Sequence, residues 1–235
     1  MRKVKLDVLD CFTKLTDCNV DYKKPSKERY HYCKDLNMFV GSCFSLGNLK
    51  LDATIAVTKL KEIFTCLDCK DCKKDCYGKK ASIRPTVNNY RWIHTYMAIN
   101  HTEEYKTWLI DDLRAIEDSV DYVRIHESGD FFAQYYLNMW IEVIKLFPNL
   151  KFYFYTKSEN ILDFSVMLTL PNVNRVKSHL PNGDVNFDDE NIIKAKCSKY
   201  NVPLCPYGVN GNKEIHCGSK CHICMDSDCV GFVKH

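Results

Sequence analysis

The cysteines of this chain are segregated, and that segregation limits what the chain can fold into. Of 14 cysteines in 235 residues, none lies between Cys76 and Cys197. Cys66, Cys69, Cys72 and Cys76 fall in one short loop, and Cys205, Cys217, Cys221, Cys224 and Cys229 crowd the end of the chain. Cys11, Cys18, Cys33 and Cys43 are spaced irregularly and, with Cys197, read as ordinary small hydrophobes or free thiols. The central segment must therefore build a conventional core without thiols, with cysteine-rich elements before and after it. This divides the chain into an N-terminal cap or extension (1–50), an α/β core (51–204) that includes the first cysteine loop, and a C-terminal tail (205–235).

Disulfides and metal compete to explain the clusters. The N-terminus MRKVKLDVLD has a basic start but no apolar run, so nothing in it predicts a signal peptide. The longest apolar stretch, Phe131 to Phe147, is interrupted by Gln134, Asn138, Glu142 and Lys145, which argues against a membrane span. A cytoplasmic setting is expected, and there closely spaced cysteines point to metal ligation or redox chemistry rather than disulfides. The hydrophobic content of 46% and charged content of 27% are those of a folded chain, and the formal charge of +3 is too small to argue for nucleic-acid binding by itself.

Between the clusters, hydrophobic periodicity predicts alternating strands and helices. Residues 51–64 carry β-branched residues and are expected to enter the sheet. Helical spacing runs through NNYRWIHTYMAIN and again from Glu103, where Tyr105, Leu109, Leu113 and Ile116 recur behind an acidic first turn. A strand from Tyr122 to His126 leads through the turn ESGD to an apolar helix from Phe131 to Phe147, which Pro148 ends. Then follow a strand at 151–156, a helix at about 159–168, a strand near 173–177, and, after PNGD, a helix through DDENIIKAKCSKY into the extended NVPLC. Alternation at this spacing predicts βαβ units, hence an α/β fold with a mostly parallel sheet or partial (β/α) barrel, flanked by cysteine-rich metal-binding loops.

The loop Cys66-x2-Cys69-x2-Cys72-x3-Cys76 has ferredoxin spacing, which favours a 4Fe-4S cluster over a single zinc. Within residues 66–80, five lysines stand against three aspartates, and this excess suits a cluster of thiolates carrying negative charge. The triplet Cys217-x3-Cys221-x2-Cys224 has the three-ligand spacing of radical S-adenosylmethionine enzymes, but it lies at the wrong end of the chain for that role. With Cys205 as fourth ligand the second site would be closed. It suits a second 4Fe-4S cluster or, with His216 or His222 substituting, zinc.

Strand alternation places Tyr122, Arg124 and His126 on one face and Val123 and Ile125 on the other. In parallel α/β folds ligands meet the carboxyl ends of the strands, so Arg124, His126, Ser128, Asp130, Tyr155 and Lys157 become candidate site residues. Arg124 and Lys157 would hold a small anionic substrate, with His126 or Asp130 moving a proton and Tyr155 and Ser128 touching a cofactor. Each has a plainer reading: Asp130 or Ser128 as the helix N-cap, His126 as a hydrogen-bonded core histidine, Lys157 as a surface lysine.

Taken together, GNLKL (47–51), Thr65 with Cys66, Cys72 and Cys76 before Tyr77, VRIHESGDFFAQYYLNMW (123–140), KFYFYTKS (151–158) and the cysteine tail are similar to the phage gene product 88 family. The resemblance spans roughly residues 45–225 and implies a phage or mobile-element origin. The family's first loop matches Cys66, Cys72 and Cys76, with Cys69 additional, which implies a three-cysteine site with one open iron or a site completed from elsewhere. Two functions follow as expectations. One is an iron-sulfur protein, redox or radical-type. The other is a non-enzymatic, zinc-stapled module that binds host protein or nucleic acid.

Overall fold

A computed structural model describes residues 31–33, 38–40, 66, 94–95, 97–99, 101–118, 120–212, 221 and 223–234. Residues 51–64, most of the first cysteine loop including Cys69, Cys72 and Cys76, and Cys217 lie outside the described residues.

The elements are β1 (His31–Cys33), β2 (Met38–Val40), α1 (Thr102–Arg114), β3 (Tyr122–Ile125), α2 (Gln134–Lys145), β4 (Lys151–Thr156), β5 (Val173–Lys177), β6 (Phe187–Asp188), α3 (Glu190–Tyr200), α4 (Ile223–Asp226) and β7 (Phe232–Val233). Among the described residues the main sheet has five strands in the order β2-β1-β3-β4-β5. Its β3-β4-β5 half is parallel, and β1 pairs antiparallel with both β2 and β3. Among the described residues a further, two-stranded parallel sheet joins β6 to β7. The fold is thus a mix of helices and small parallel sheets, as the alternation predicts. Among the described residues the strands close no barrel.

Period-two alternation explains how the main sheet is covered. On one face Val123 and Ile125 of β3 and Phe152 and Phe154 of β4 join Tyr105, Leu109 and Leu113 of α1 and Tyr136, Leu137 and Trp140 of α2 in one buried cluster. On the other face Tyr153 and Val176 pack with Cys205, Met225 and Val230 of the C-terminal segment. That segment is fastened by backbone bonds, Cys205 N–H to the Gly231 carbonyl (2.8 Å) and Lys177 N–H to the Asp228 carbonyl (2.7 Å). The Asn174 side chain donates to the carbonyls of Cys224 (3.1 Å) and Ser227 (3.2 Å).

Gly231 marks the tightest approach. A Cβ there would sit 2.2 Å from the Cys197 sulfur of α3, so a larger residue would force the Cys197 side chain or the tail to shift. Beside it Leu180, Ile193, Cys197, Cys229 and Val233 form a third small cluster.

Two expectations are corrected. The long helix starts at Gln134 rather than Phe131, because Phe131 is used as a core anchor, fully buried, before the helix begins. Residues 159–168 are not a helix but two short 3-10 turns, Ser158–Asn160 and Met167–Thr169. Asp163 accepts from the Ser165 backbone and gives its own N–H to Gln134, and these local bonds replace helical ones while Phe164 and Met167 turn inward. No helix among the described residues is long and apolar enough to cross a membrane.

Candidate functional site at the strand ends

The polar residues predicted at the strand ends do gather there, but on two sides of the sheet. Arg124 points to the tail-covered face, where its guanidinium lies 5.2 Å from the centre of the Tyr155 ring. The Tyr155 hydroxyl is buried and makes no hydrogen bond of normal geometry. Burial holds it well above its ordinary value, and the adjacent Cys224 adds to the rise. Phe232 closes the ring from the tail, at 5.9 Å between centroids.

His126 leaves that face. Its φ is +62°, so the chain turns left-handed directly after β3 and the alternation that would put His126 beside Arg124 is broken. The ring enters the helix-covered core, stacked on Tyr136 and edge-on to Phe131 and Trp140, with Nε2 2.9 Å from the Tyr136 hydroxyl. Burial, aided by the nearby Arg124 charge, lowers its pKa to about 3, so it is neutral. His94 is lowered to about 3 by burial as well and pairs with the Tyr105 hydroxyl at 3.0 Å. The plain reading of His126 as a hydrogen-bonded core histidine therefore describes its contacts. Its Nδ1 and the Ser128 hydroxyl are buried without a hydrogen-bond partner.

Asp130 does not cap α2, whose N-cap is Ala133. Its carboxylate joins two loops instead. Oδ1 accepts from the Phe131 N–H (2.7 Å) and the Thr156 hydroxyl (2.8 Å), and Oδ2 accepts from the Lys157 N–H (2.7 Å). The Ser158 hydroxyl donates to the Phe131 carbonyl at 2.9 Å and completes the joint. Burial raises the Asp130 pKa to about 6, against the pull of these hydrogen bonds. The SGD and YTKS blocks thus form one interlocked unit, with Gly129 supplying a φ of +85° at the turn.

Lys157, held by Asp130 through its backbone, lines an open cleft of about 900 Å³ with Lys177, His179, Asp226, Asp228 and Cys229 among its walls. Arg124, His126 and Asp130 do not line it. Sequence reasoning missed Lys177, His179 and Asp228, whose meeting with Lys157 depends on the pairing of β5 with the tail at Lys177 and Cys229. Thr156 and Ser158 were visible only as part of the YTKS block, with no sign of their bond to Asp130.

Of the predicted metal ligands, Cys205 is buried and Cys66, Cys221 and Cys224 are half-buried. Cys205 belongs to the cluster that the tail forms against the sheet, and Cys224 packs against the same cluster. Among the described residues no group of three or more histidine, cysteine or acidic side chains converges as a metal site. Cys205 and Cys224, which share that cluster, are soft donors that iron and zinc both accept.

A family model described as Gene product 88 matches residues 23–187, more than half of the chain. No curated protein and no solved structure matches.

Proposed function

Since the chain belongs to the Gene product 88 family, we infer that its cysteines serve an iron-sulfur cluster and that the protein is a phage-type redox or radical-type enzyme with an anion pocket at the strand ends. The observation that carries this reading is the joint position of Cys205 and Cys224, both from the tail, on one cluster with Tyr153 and Tyr155, whose ring faces Arg124. Cys217 and Cys221 would complete that set, and Cys66, Cys69, Cys72 and Cys76 would form the other.

Electron transfer or Lewis-acid help is the chemistry such a group supplies when bound. This chain's own residues would do the rest. Arg124 would supply positive charge over the Tyr155 ring, and Tyr155 would present its buried hydroxyl to the Cys224 thiol. Asp130 positions Lys157 through its backbone, and Lys157 meets the anionic substrate in the cleft. Neutral His126 packs the other side and has no part in holding the anion.

Purification under exclusion of oxygen tests the reading. A brown protein with stoichiometric iron and acid-labile sulfide is expected. Colourless protein that carries only zinc after anaerobic reconstitution would favour the zinc-stapled module instead.

A further inference from the structure

We propose that the cleft at the carboxyl ends of β4 and β5 binds a phosphate monoester of a small hydroxylated molecule, such as a sugar phosphate or a nucleoside monophosphate. The proposal deepens the anion pocket of the preceding section and rests on it, but it does not require the cluster.

Three observations lead to it. Thr156 and Lys177 are register partners in the parallel ladder, so adjacent strand ends deliver Lys157 and Lys177 to one mouth. Among the described residues neither ammonium forms an ion pair. Glu159, which also lines the cleft, is already taken by Arg175 at 2.9 Å. Two like charges at one mouth repel each other, and an anion between them turns that repulsion into binding. Lysine acts on phosphate as a mobile point charge and needs no fixed fork geometry.

The rest of the cleft describes the body of the ligand. Its volume of about 900 Å³ is much larger than inorganic phosphate needs and falls within the range of small-molecule sites. The wall formed by the tail brings Asp226 and Asp228, acceptors suited to sugar hydroxyls, and Leu180 and Val202 add an apolar surface. Cations on the strand-end wall and carboxylates on the tail wall match an ester with a charged head and a hydroxylated body. A ligand charged at both ends would meet Asp226 and Asp228 with its second anion.

Titration calorimetry on the full chain, purified anaerobically, tests the proposal with four probes: adenosine monophosphate, ribose phosphate, inorganic phosphate and citrate. At least one ester should bind about tenfold tighter than inorganic phosphate and citrate. Lys177→Ala, an exposed position, should weaken the ester at least about tenfold with the unfolding midpoint unchanged, and Asp228→Asn should weaken the ester but not inorganic phosphate. Absence of ester binding, citrate binding as tightly as the esters, or an affinity unaffected by Lys177→Ala would overturn it. Iron measured on the same samples reports on the cluster separately: ester binding without iron overturns only the cluster, and iron without ester binding overturns only the cleft.

Discussion

On one face of the five-stranded sheet Val123, Ile125, Phe152 and Phe154 lie under two helices, and on the other Tyr153 and Val176 lie under a C-terminal segment that carries Cys205 and Met225. The first covering is built from large, fully buried side chains, among them Trp140, Tyr136, Tyr105 and Phe131. Among the described residues the second has fewer buried side chains and holds Cys205, Cys224, Arg124 and the Tyr155 hydroxyl. Apolar burial of the first kind stabilises the domain by itself, whereas the second would gain from the cluster proposed for its thiols. On the proposed function, stability and chemistry are divided between the two sides of one sheet. His126, turned away from Arg124 by a single left-handed residue, belongs to the first.

The largest effect should come from the helix-covered face. Trp140→Ala removes a fully buried ring and should cost about 3–5 kcal/mol in denaturant unfolding. A cost similar to that of a surface change would break the division, because the core would then not depend on that face.

Next in size is the response to acid. His94 and His126 sit at about 3, below the ordinary 6.5, so the unfolded chain binds protons that the native one refuses as pH falls from 6.5 towards 3. Their contribution is present above 6.5 and is lost through that window. Asp130, at about 6 against 3.8, acts in the opposite direction: between those values the native state holds the extra proton, and its contribution falls as pH rises. Each group changes stability by at most about 1.4 kcal/mol per pH unit. His126→Asn, which tolerates the left-handed backbone and does not titrate, should reduce the acid-side loss by about that slope in unfolding measured between pH 4 and 6. An unchanged slope would mean that His126 is not held neutral by the helix-covered core.

A smaller effect sharpens the tail side. Gly231→Ala should loosen the tail by about 1–3 kcal/mol, seen as faster hydrogen exchange at Cys205 and Gly231, whose backbones are bonded. Cys197→Ala removes the sulfur that the new methyl would strike and should restore much of the loss. Equal losses in both backgrounds would show that the close approach is not what limits docking. The smallest change should follow Lys106→Ala, which breaks the exposed pair with Glu142 between α1 and α2, at less than about 1 kcal/mol.

Elements with a clean period were legible in the sequence. The strands at 151–156 and 173–177 stand where alternation and the flanking Pro148 and Pro171 put them, and Tyr105, Leu109 and Leu113 bury as a helical stripe. The stretch at 159–168 misled because its apolar residues suit a helix, while Asp163 and Ser165 offer the backbone local bonds instead. His126 misled because one positive φ reverses a side chain without any change in residue pattern. Asp130 was recognised as important, yet its partners Thr156 and the Lys157 amide lie 26 and 27 residues away, beyond the reach of a local pattern. The cleft needed the pairing of β5 with the tail, which local periodicity does not encode.

The measurement that bears most directly on this division is iron per chain in anaerobically purified Cys224→Ala, taken together with its denaturant unfolding curve. The account predicts that iron falls relative to the unsubstituted protein, while the cooperative transition of the helix-covered core is retained. Iron unchanged in the variant, or a chain that no longer unfolds cooperatively, would contradict it.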